Sequence, residues 1–346
     1  MVKTHLLSDL FESTGTYNGY ILGGQGKNIL INNIIMDYLR NGNEDTKIFI
    51  FDSNKEHLRF VENLGGNYIS LNSKKPFSVN PFYKVRTEDD FMEYKDYLIN
   101  FLYAIGVTSE NTDKDLNEHF RLYMITALYA VQDECKDFEL IDIYNWLSRQ
   151  NDETLQPYID NLMPFCPEGK YGEFFSGEST LNFGDRFITA IDFSDLAYDP
   201  KLKASIQAAV ILHTYGNFYY YGRQTVIFIN QFKEFVKDLP NAYILIDPLF
   251  RGARKRYIAI VTAIESVKDL YDNDKISRTG RIIIEYSEWK FFLPQVKTEN
   301  SVEEMGDKLC LYISDTEFNL IKSLKYNDVY IKSNSNPNGG ILIRFC

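Results

Sequence analysis

The sequence predicts an α/β protein, with a mainly parallel sheet flanked by helices and an all-helical insertion within it. Three observations point there. Apolar runs such as Lys47–Asp52, closed by an acid, recur along the chain and read as buried parallel strands. Segments of three-to-four-residue apolar spacing separate several of them, the alternation of a wound α/β sheet. One long stretch, from about Asp89 to Phe165, shows helical spacing alone.

The first element is a glycine-rich turn, Gly23–Gly26, followed by Lys27 and an apolar-periodic stretch from Ile29 to Leu39. It reads as a loop that opens a helix. Lys47–Asp52 is the next strand, with Asp52 at its carboxyl end. Helical periodicity then covers Phe91–Ile105, Asp115–Val131, Glu139–Leu147 and Glu153–Phe165, bounded by Pro76–Pro81 and by the turn-rich Pro167–Gly177. The expected division is a core of residues 1–88 and 180–346 and an insertion of 89–179. Strand-like runs return at Phe187–Phe193, Thr225–Ile229, Tyr257–Ile264 and Ile282–Glu285, with helical segments between the first three. A short helix, Asp315–Leu324, and two strand candidates, Asp328–Lys332 and Ile341–Arg344, close the chain.

Composition excludes several classes. With 45% hydrophobic and 25% charged residues over 346 positions, a folded globular chain is expected. A net charge of −11 argues against general binding to a phosphate backbone, so contact with DNA is expected only indirectly. The basic run Arg251–Arg256 reads as a solvated helix face. No apolar stretch approaches the roughly 18 to 20 residues that span a bilayer, and Met1–Gly15 lacks the pattern of a signal peptide. Cys135, Cys166, Cys310 and Cys346 are scattered and do not cluster with histidines, as reduced cytoplasmic thiols would be.

Ile21-Leu-Gly-Gly-Gln-Gly-Lys-Asn28 stands where a Walker A loop would. Such a loop presents backbone N–H groups to phosphate oxygens, a lysine to the terminal phosphates and a hydroxyl to magnesium. Gly26 and Lys27 fit that pattern, whereas Ile21 replaces its first glycine and Asn28 its hydroxyl. Gly23, Gly24, Gln25, Gly26, Lys27, Asn28 and Ile29 are the candidate nucleotide-binding residues.

Further short motifs follow in order: Asp52, Gly65-Gly66-Asn67-Tyr68-Ile69, Asn80-Pro81-Phe82, Phe175-Ser-Gly177, Arg251-Gly-Ala-Arg254-Lys255, Ser266–Tyr271, Gly280–Ser287, Lys290–Gln295 and Leu320–Leu324. Together they resemble the carboxyl-terminal ATPase region of the TraC family, the conjugative motor ATPases of type IV secretion systems. The resemblance implies a RecA-like P-loop NTPase core, ATP and Mg2+ as ligands, and type IV secretion proteins as partners. It also implies homo- or hetero-oligomers with related ATPases, at the cytoplasmic side of the bacterial inner membrane. The family's amino-terminal domain is expected to have no counterpart here.

The departures from the family bear on the chemistry. Its Walker B strand ends in Asp-Glu, where the matching Thr225–Ile229 is followed by Asn230-Gln231. Its Thr-Gln at the sensor position is matched by Ile264-Glu265. Arg254 and Arg281 match conspicuous family arginines, each either a donor to a neighbouring subunit's phosphates or a surface cation. Tyr243–Asp247 is a rival for the Walker B strand, but Pro248 follows it and the resemblance sets Asp247 on a helix. The aromatic run Phe218–Tyr221 reads as packing or interface surface rather than a base-stacking platform. The expectation is a degenerate member with weak or absent hydrolysis, acting structurally or as a regulator, in a cavity short of negative charge. The alternative is an active motor for pilus assembly or DNA transfer.

Overall fold

A computed structural model describes residues 10–345 except 41–45, 76, 84, 109, 112, 182–185, 222, 240 and 295–301, and without the side chains of 215–221, 302–304 and 337–338. The expectations for the first residues, for Cys346 and for the Phe218–Tyr221 side chains lie outside the described residues.

From the amino end, β1 (Gly19–Leu22) leads to α1 (Lys27–Arg40), β2 (Lys47–Asp52), α2 (Leu58–Asn63) and β3 (Asn67–Ser70). Helices alone follow among the described residues: α3 (Glu88–Gly106), α4 (Lys114–Glu134), α5 (Leu140–Ser148), α6 (Gln156–Leu162) and α7 (Gly172–Phe175). The chain then returns to alternation with β4 (Ile188–Asp192), α8 (Pro200–Tyr221), β5 (Thr225–Ile229), α9 (Phe232–Val236), α10 (Tyr243–Gly252) and β6 (Ile258–Ile264). A small hairpin of β7 (Tyr271–Asp272) and β8 (Lys275–Ile276) precedes α11 (Arg278–Tyr286) and β9 (Trp289–Phe292). The last elements are α12 (Val302–Leu309), α13 (Asp315–Ser323), β10 (Asp328–Ser333) and β11 (Asn336–Arg344).

Nine strands form one sheet in the order β11-β10-β9-β1-β6-β5-β2-β4-β3. From β9 to β3 all neighbours are parallel, while β10 and β11 add an antiparallel edge. Side chains alternate between two cores, as the pleat requires. Ile48 and Ile50 meet Ile31, Ile34 and Ile35 of α1 in one core. Phe49 and Phe51 enter the other, where Phe51 stacks on Phe235 with ring centroids 5.4 Å apart. Burial on both faces explains why these strands read as unbroken apolar runs.

The helical stretch packs on that second face. Phe101 and Leu102 of α3, Phe120 of α4 and Ile143 of α5 belong to the same buried cluster as Phe51 and Ile229 of the sheet. Thr87 and Asp90 form a capping box at the start of α3, and Asp113 accepts two backbone N–H groups at the start of α4. Each such cap stabilises its helix by about 1 kcal/mol.

One strand expectation is corrected. Ile282–Glu285 lies in helix α11, whose amino end is capped by Ser277 accepting from Gly280 N. A short apolar run has no periodicity of its own that separates strand from buried helix, so the cap and the packing decide. At Gly280 a Cβ would sit 2.1 Å from the Leu270 carbonyl oxygen, so the helix approaches the preceding turn only because this residue is glycine. The strand at this point of the sheet is instead Trp289–Phe292, which pairs with β1 and β10. Tyr243–Asp247 is the first half of α10, not a strand.

Candidate functional site

In an open parallel sheet, ligands bind outside the carboxyl ends of the strands. The parallel pairing of β1, β6, β5, β2 and β4 places Leu22, Ile264, Ile229, Asp52 and Asp192 along one such edge. The loops leaving these ends bring together residues far apart in sequence.

The first loop is Gly23–Gly26, between β1 and α1. Ile21 lies in β1 with its side chain fully buried, so it is a core residue and not part of the loop. Gly23 N donates to Ile264 O at 3.2 Å. A Cβ on Gly23 would lie 2.6 Å from Leu293 Cβ, and Gly26 has φ +88°, so both turns of the backbone require glycine. Gly24 is half-buried, Gln25 stands exposed at the tip, and the Ile29 carbonyl accepts from Asn33 at 2.8 Å inside α1. The first N–H groups of a helix have no intrahelical partner and favour an anion. Lys27 is 8% exposed, and its Nζ donates to Gly23 O at 3.0 Å and Gly24 O at 3.3 Å. Glu265 Oε1, at the end of β6, stands 3.8 Å from the same ammonium; its side chain is 67% exposed, so water screens the pair.

Beside this loop lies a cluster of amides around one carboxylate. Asn28 Nδ2 donates to Glu56 Oε2 at 2.8 Å, and Asn230 Nδ2 donates to the same oxygen at 2.7 Å. Gln231 Nε2 donates to Glu56 Oε1 at 3.0 Å, while Gln231 Oε1 accepts from Asn54 Nδ2 at 2.8 Å. Asn230 is fully buried, and the side-chain oxygens of both Asn28 and Asn230 are buried with no hydrogen-bond partner. Gln231 has φ +52° and ψ 59°, a left-handed backbone costly for a residue other than glycine. The cavity expected to lack negative charge therefore holds the carboxylate of Glu56 between the loop and the end of β5, a residue the sequence reading missed.

Glu56 is held out by a short, tightly tied segment. Asp52 Oδ2 accepts from His57 N at 3.0 Å and from Tyr68 OH at 3.3 Å, and Asp52 Oδ1 accepts from Asn54 N at 3.3 Å. Lys55 has φ +58° and pairs with Asp195 at 2.8 Å. His57 is fully buried, its Nδ1 is 3.2 Å from Asn32 Oδ1, and burial pushes its pKa below the usual imidazole value against the pull of Asp52 and Glu56. The available signal was position: an acid four residues past a strand end that itself carries an acid, in a loop at the ligand edge.

Lys27, Asn28, Asn230, Gln231 and Glu265 are thus brought to one place, and the two candidate arginines are not. Arg254 precedes the amino end of β6, at the opposite edge, where its Nη1 donates to Thr14 O at 2.6 Å. Arg281 lines a separate cleft with Arg121, Arg251 and Arg278, and Asp247 there pairs with Arg251 at 2.8 Å. Among the described residues, no group of three or more His, Cys, Asp or Glu side chains is arranged to hold a metal, and no helix is long and apolar enough to cross a membrane. Cys135, Cys166 and Cys310 are free.

The sequence matches the TraG P-loop domain family over residues 12–336, and the chain belongs to that family. Its fold is similar to that of VirB4 from Thermoanaerobacter pseudethanolicus, with a TM-score of 0.72 at 17% identity over 98% of this chain and 92% of that one. It is similar also to the bacterial conjugative coupling protein TrwB in its unbound form, with a TM-score of 0.62 at 13% identity over 95% of this chain and 84% of that one. TrwB in complex with ADP and Mg2+ gives a TM-score of 0.58 at 14% identity, over 94% and 84% of the two chains. The shared fold is the RecA-like P-loop NTPase core. A comparison with curated proteins returned no match.

Proposed function

We propose that this member of the TraG P-loop domain family binds ATP with Mg2+ as a TraC-like subunit of a conjugative type IV secretion apparatus, with weak or absent hydrolysis. The observation that carries the proposal is a glycine turn ahead of α1 with Lys27 folded over it, next to a β5 end that offers the amides of Asn230 and Gln231 and no acid. Lys27 and the N–H groups opening α1 need neither missing acid to hold a polyphosphate. The amide of Gln231 orients a water but cannot take its proton, and a general base is worth about 100- to 10,000-fold in rate. Glu265, 3.8 Å from Lys27, competes with a terminal phosphate for the ammonium.

Such a subunit acts structurally or as a regulator, in homo- or hetero-oligomers with related ATPases, at the cytoplasmic face of the bacterial inner membrane. Residues 89–179 are its insertion, carried on a core of 1–88 and 180–346, and contact with DNA is indirect. TrwB, a bacterial conjugative coupling protein of similar fold, supports the conjugative setting. One observation favours a second reading, an active motor for pilus assembly or DNA transfer: the Glu56 carboxylate lies 2.7 Å from Asn230 and restores negative charge to the cavity.

ATP turnover with Mg2+ separates the two. The wild-type chain is expected to be no faster than Lys27→Ala, and a Lys27-dependent rate overturns weak hydrolysis in favour of the motor. In calorimetric titration, Lys27→Ala is expected to bind ATP about 10- to 100-fold more weakly, the worth of a charge-assisted contact.

A further inference from the structure

We propose that the cleft lined by Arg121, Arg251, Arg278 and Arg281 is a docking site for an acidic peptide segment of a partner protein. The cleft shares no residue with the glycine turn or the β5 end, so the proposal is independent of the nucleotide reading. It has a volume of about 610 Å³ and forms where α4 of the helical stretch meets α10 and α11. Four cations and one acid, Asp247, make up its charged lining, in a chain whose net charge is −11. Asp247 is taken up by Arg251 at 2.8 Å. Among the described residues, no ion pair engages Arg121, Arg278 or Arg281.

Helix polarity gives an independent sign. Arg278 and Arg281 lie within the first four residues of α11, whose first turn has no acid. A helix amino end carries partial positive charge and favours acids, so two arginines there concentrate a potential that only an incoming anion relieves. Orientation gives another. Arg278 lies over the Tyr243 ring at 4.4 Å, Arg251 over Tyr286 at 5.1 Å and Arg121 over Tyr103 at 5.9 Å. Arg121 Nη1 also donates to Asn100 Oδ1 at 3.4 Å. Stacking on a ring fixes the plane of a guanidinium, whose fork of N–H groups matches a carboxylate.

The class of ligand follows from charge and shape. Phosphate matches the same fork, but single-stranded nucleic acid also needs aromatic rings on which bases stack, and these three tyrosines already carry arginines. The overall negative charge opposes a long polyanion, whereas a short acidic segment meets mainly the local cluster. The cleft continues into a cavity of about 830 Å³ that shares Tyr243 and Arg278 with it. There Lys114, Lys233 and Lys237 alternate with Glu118, Asp269 and Asp272. A groove of that length accommodates an extended chain, and its mixed charges set a register that a uniform phosphate backbone does not match.

The test is fluorescence anisotropy of the full chain with labelled decaglutamate at physiological ionic strength, where charges beyond about 8 Å are screened. Arg278→Gln combined with Arg281→Gln is expected to weaken binding about tenfold or more. Lys74→Gln combined with Lys75→Gln, an exposed pair after β3, is expected to leave it within about twofold. Asp247→Asn releases Arg251 and is expected to tighten binding about threefold, a gain that misfolding cannot imitate. Decaglutamate that does not bind, or that binds the double arginine variant as tightly as the wild type, overturns the proposal, and so does an Asp247→Asn chain that binds it more weakly. Decathymidylate bound more tightly than decaglutamate, with the same loss in the arginine variant, overturns the peptide in favour of single-stranded nucleic acid.

Discussion

At the antiparallel edge of the sheet, Glu317 accepts from Lys332 Nζ at 2.6 Å, Tyr330 OH at 2.7 Å, and both the backbone N and the Oγ of Ser314 at 2.9 Å. At the carboxyl edge, Glu56 is gathered by three amides that between them leave two buried oxygens without partners. Glu317 is 9% and Lys332 1% exposed, whereas Glu56 is open to solvent. Burial alone would raise the Glu317 carboxyl, but the contacts from Lys332, Ser314 and Tyr330 outweigh it and hold the pKa down to about 2. The difference separates structure from site. The Glu317 network closes on itself, ties α13 to β10 and has no acceptor left over among its members. The Glu56 cluster keeps capacity unused and stands on left-handed residues, Lys55 and Gln231, of the kind found where a fold accepts strain for function.

The sharpest way to break the comparison is to remove the cation of the closed network. Lys332→Met leaves Glu317 buried beside neutral donors and is expected to cost about 3–5 kcal/mol in urea unfolding. Glu56→Gln, at its open position, is expected to move the same midpoint by less than about 0.5 kcal/mol, and equal losses would erase the distinction. A pH series sharpens the first half. The folded Glu317 pKa, about 2, lies below its ordinary 4.5. Its contribution is therefore complete above the ordinary value and fades as pH falls through the folded one. The stability gap between wild type and Glu317→Gln is expected to narrow from pH 5 toward about pH 3 in urea titrations; a gap independent of pH would mean the carboxylate is not held as described. A change of opposite sign concerns the strained side. Gln231→Gly relieves the left-handed backbone and is expected to stabilise the chain by about 1 kcal/mol, while weakening the hold on Glu56.

The fold was readable where local chemistry and tertiary structure agree. The Gly23–Gly26 turn announced itself because positive φ and close approach both demand glycine, and Lys47–Asp52 because a strand buried on both faces has little room for polar side chains. Reading failed where the two disagree. Ile282, Ile283 and Ile284 are β-branched and favour a strand by propensity, but Ser277 caps a helix there and Gly280 lets it pack. The Trp289–Phe292 strand carries Lys290, which is 3% exposed. Its ammonium is satisfied by Ser287 O, Glu288 O and Asn334 Oδ1, although burial still lowers its pKa to about 8. A lysine inside a core strand defeats any reading by polarity. Glu56 escaped because nothing adjacent to it in sequence marks it; its partners come from the first turn of α1 (Asn28) and from the end of β5 (Asn230 and Gln231).

By itself the sequence determined the local inventory: a glycine turn with a lysine before a helix, an uninterrupted helical stretch, and amides after Thr225–Ile229. These depend on backbone sterics and side-chain periodicity over a few residues, which are present in any stretch of chain. Only the tertiary structure decided that Glu56 meets Asn230 across 174 positions and that Arg254 stands at the opposite edge from Lys27. Strand order in the sheet sets both, and that order is fixed by which apolar faces bury one another along the whole chain.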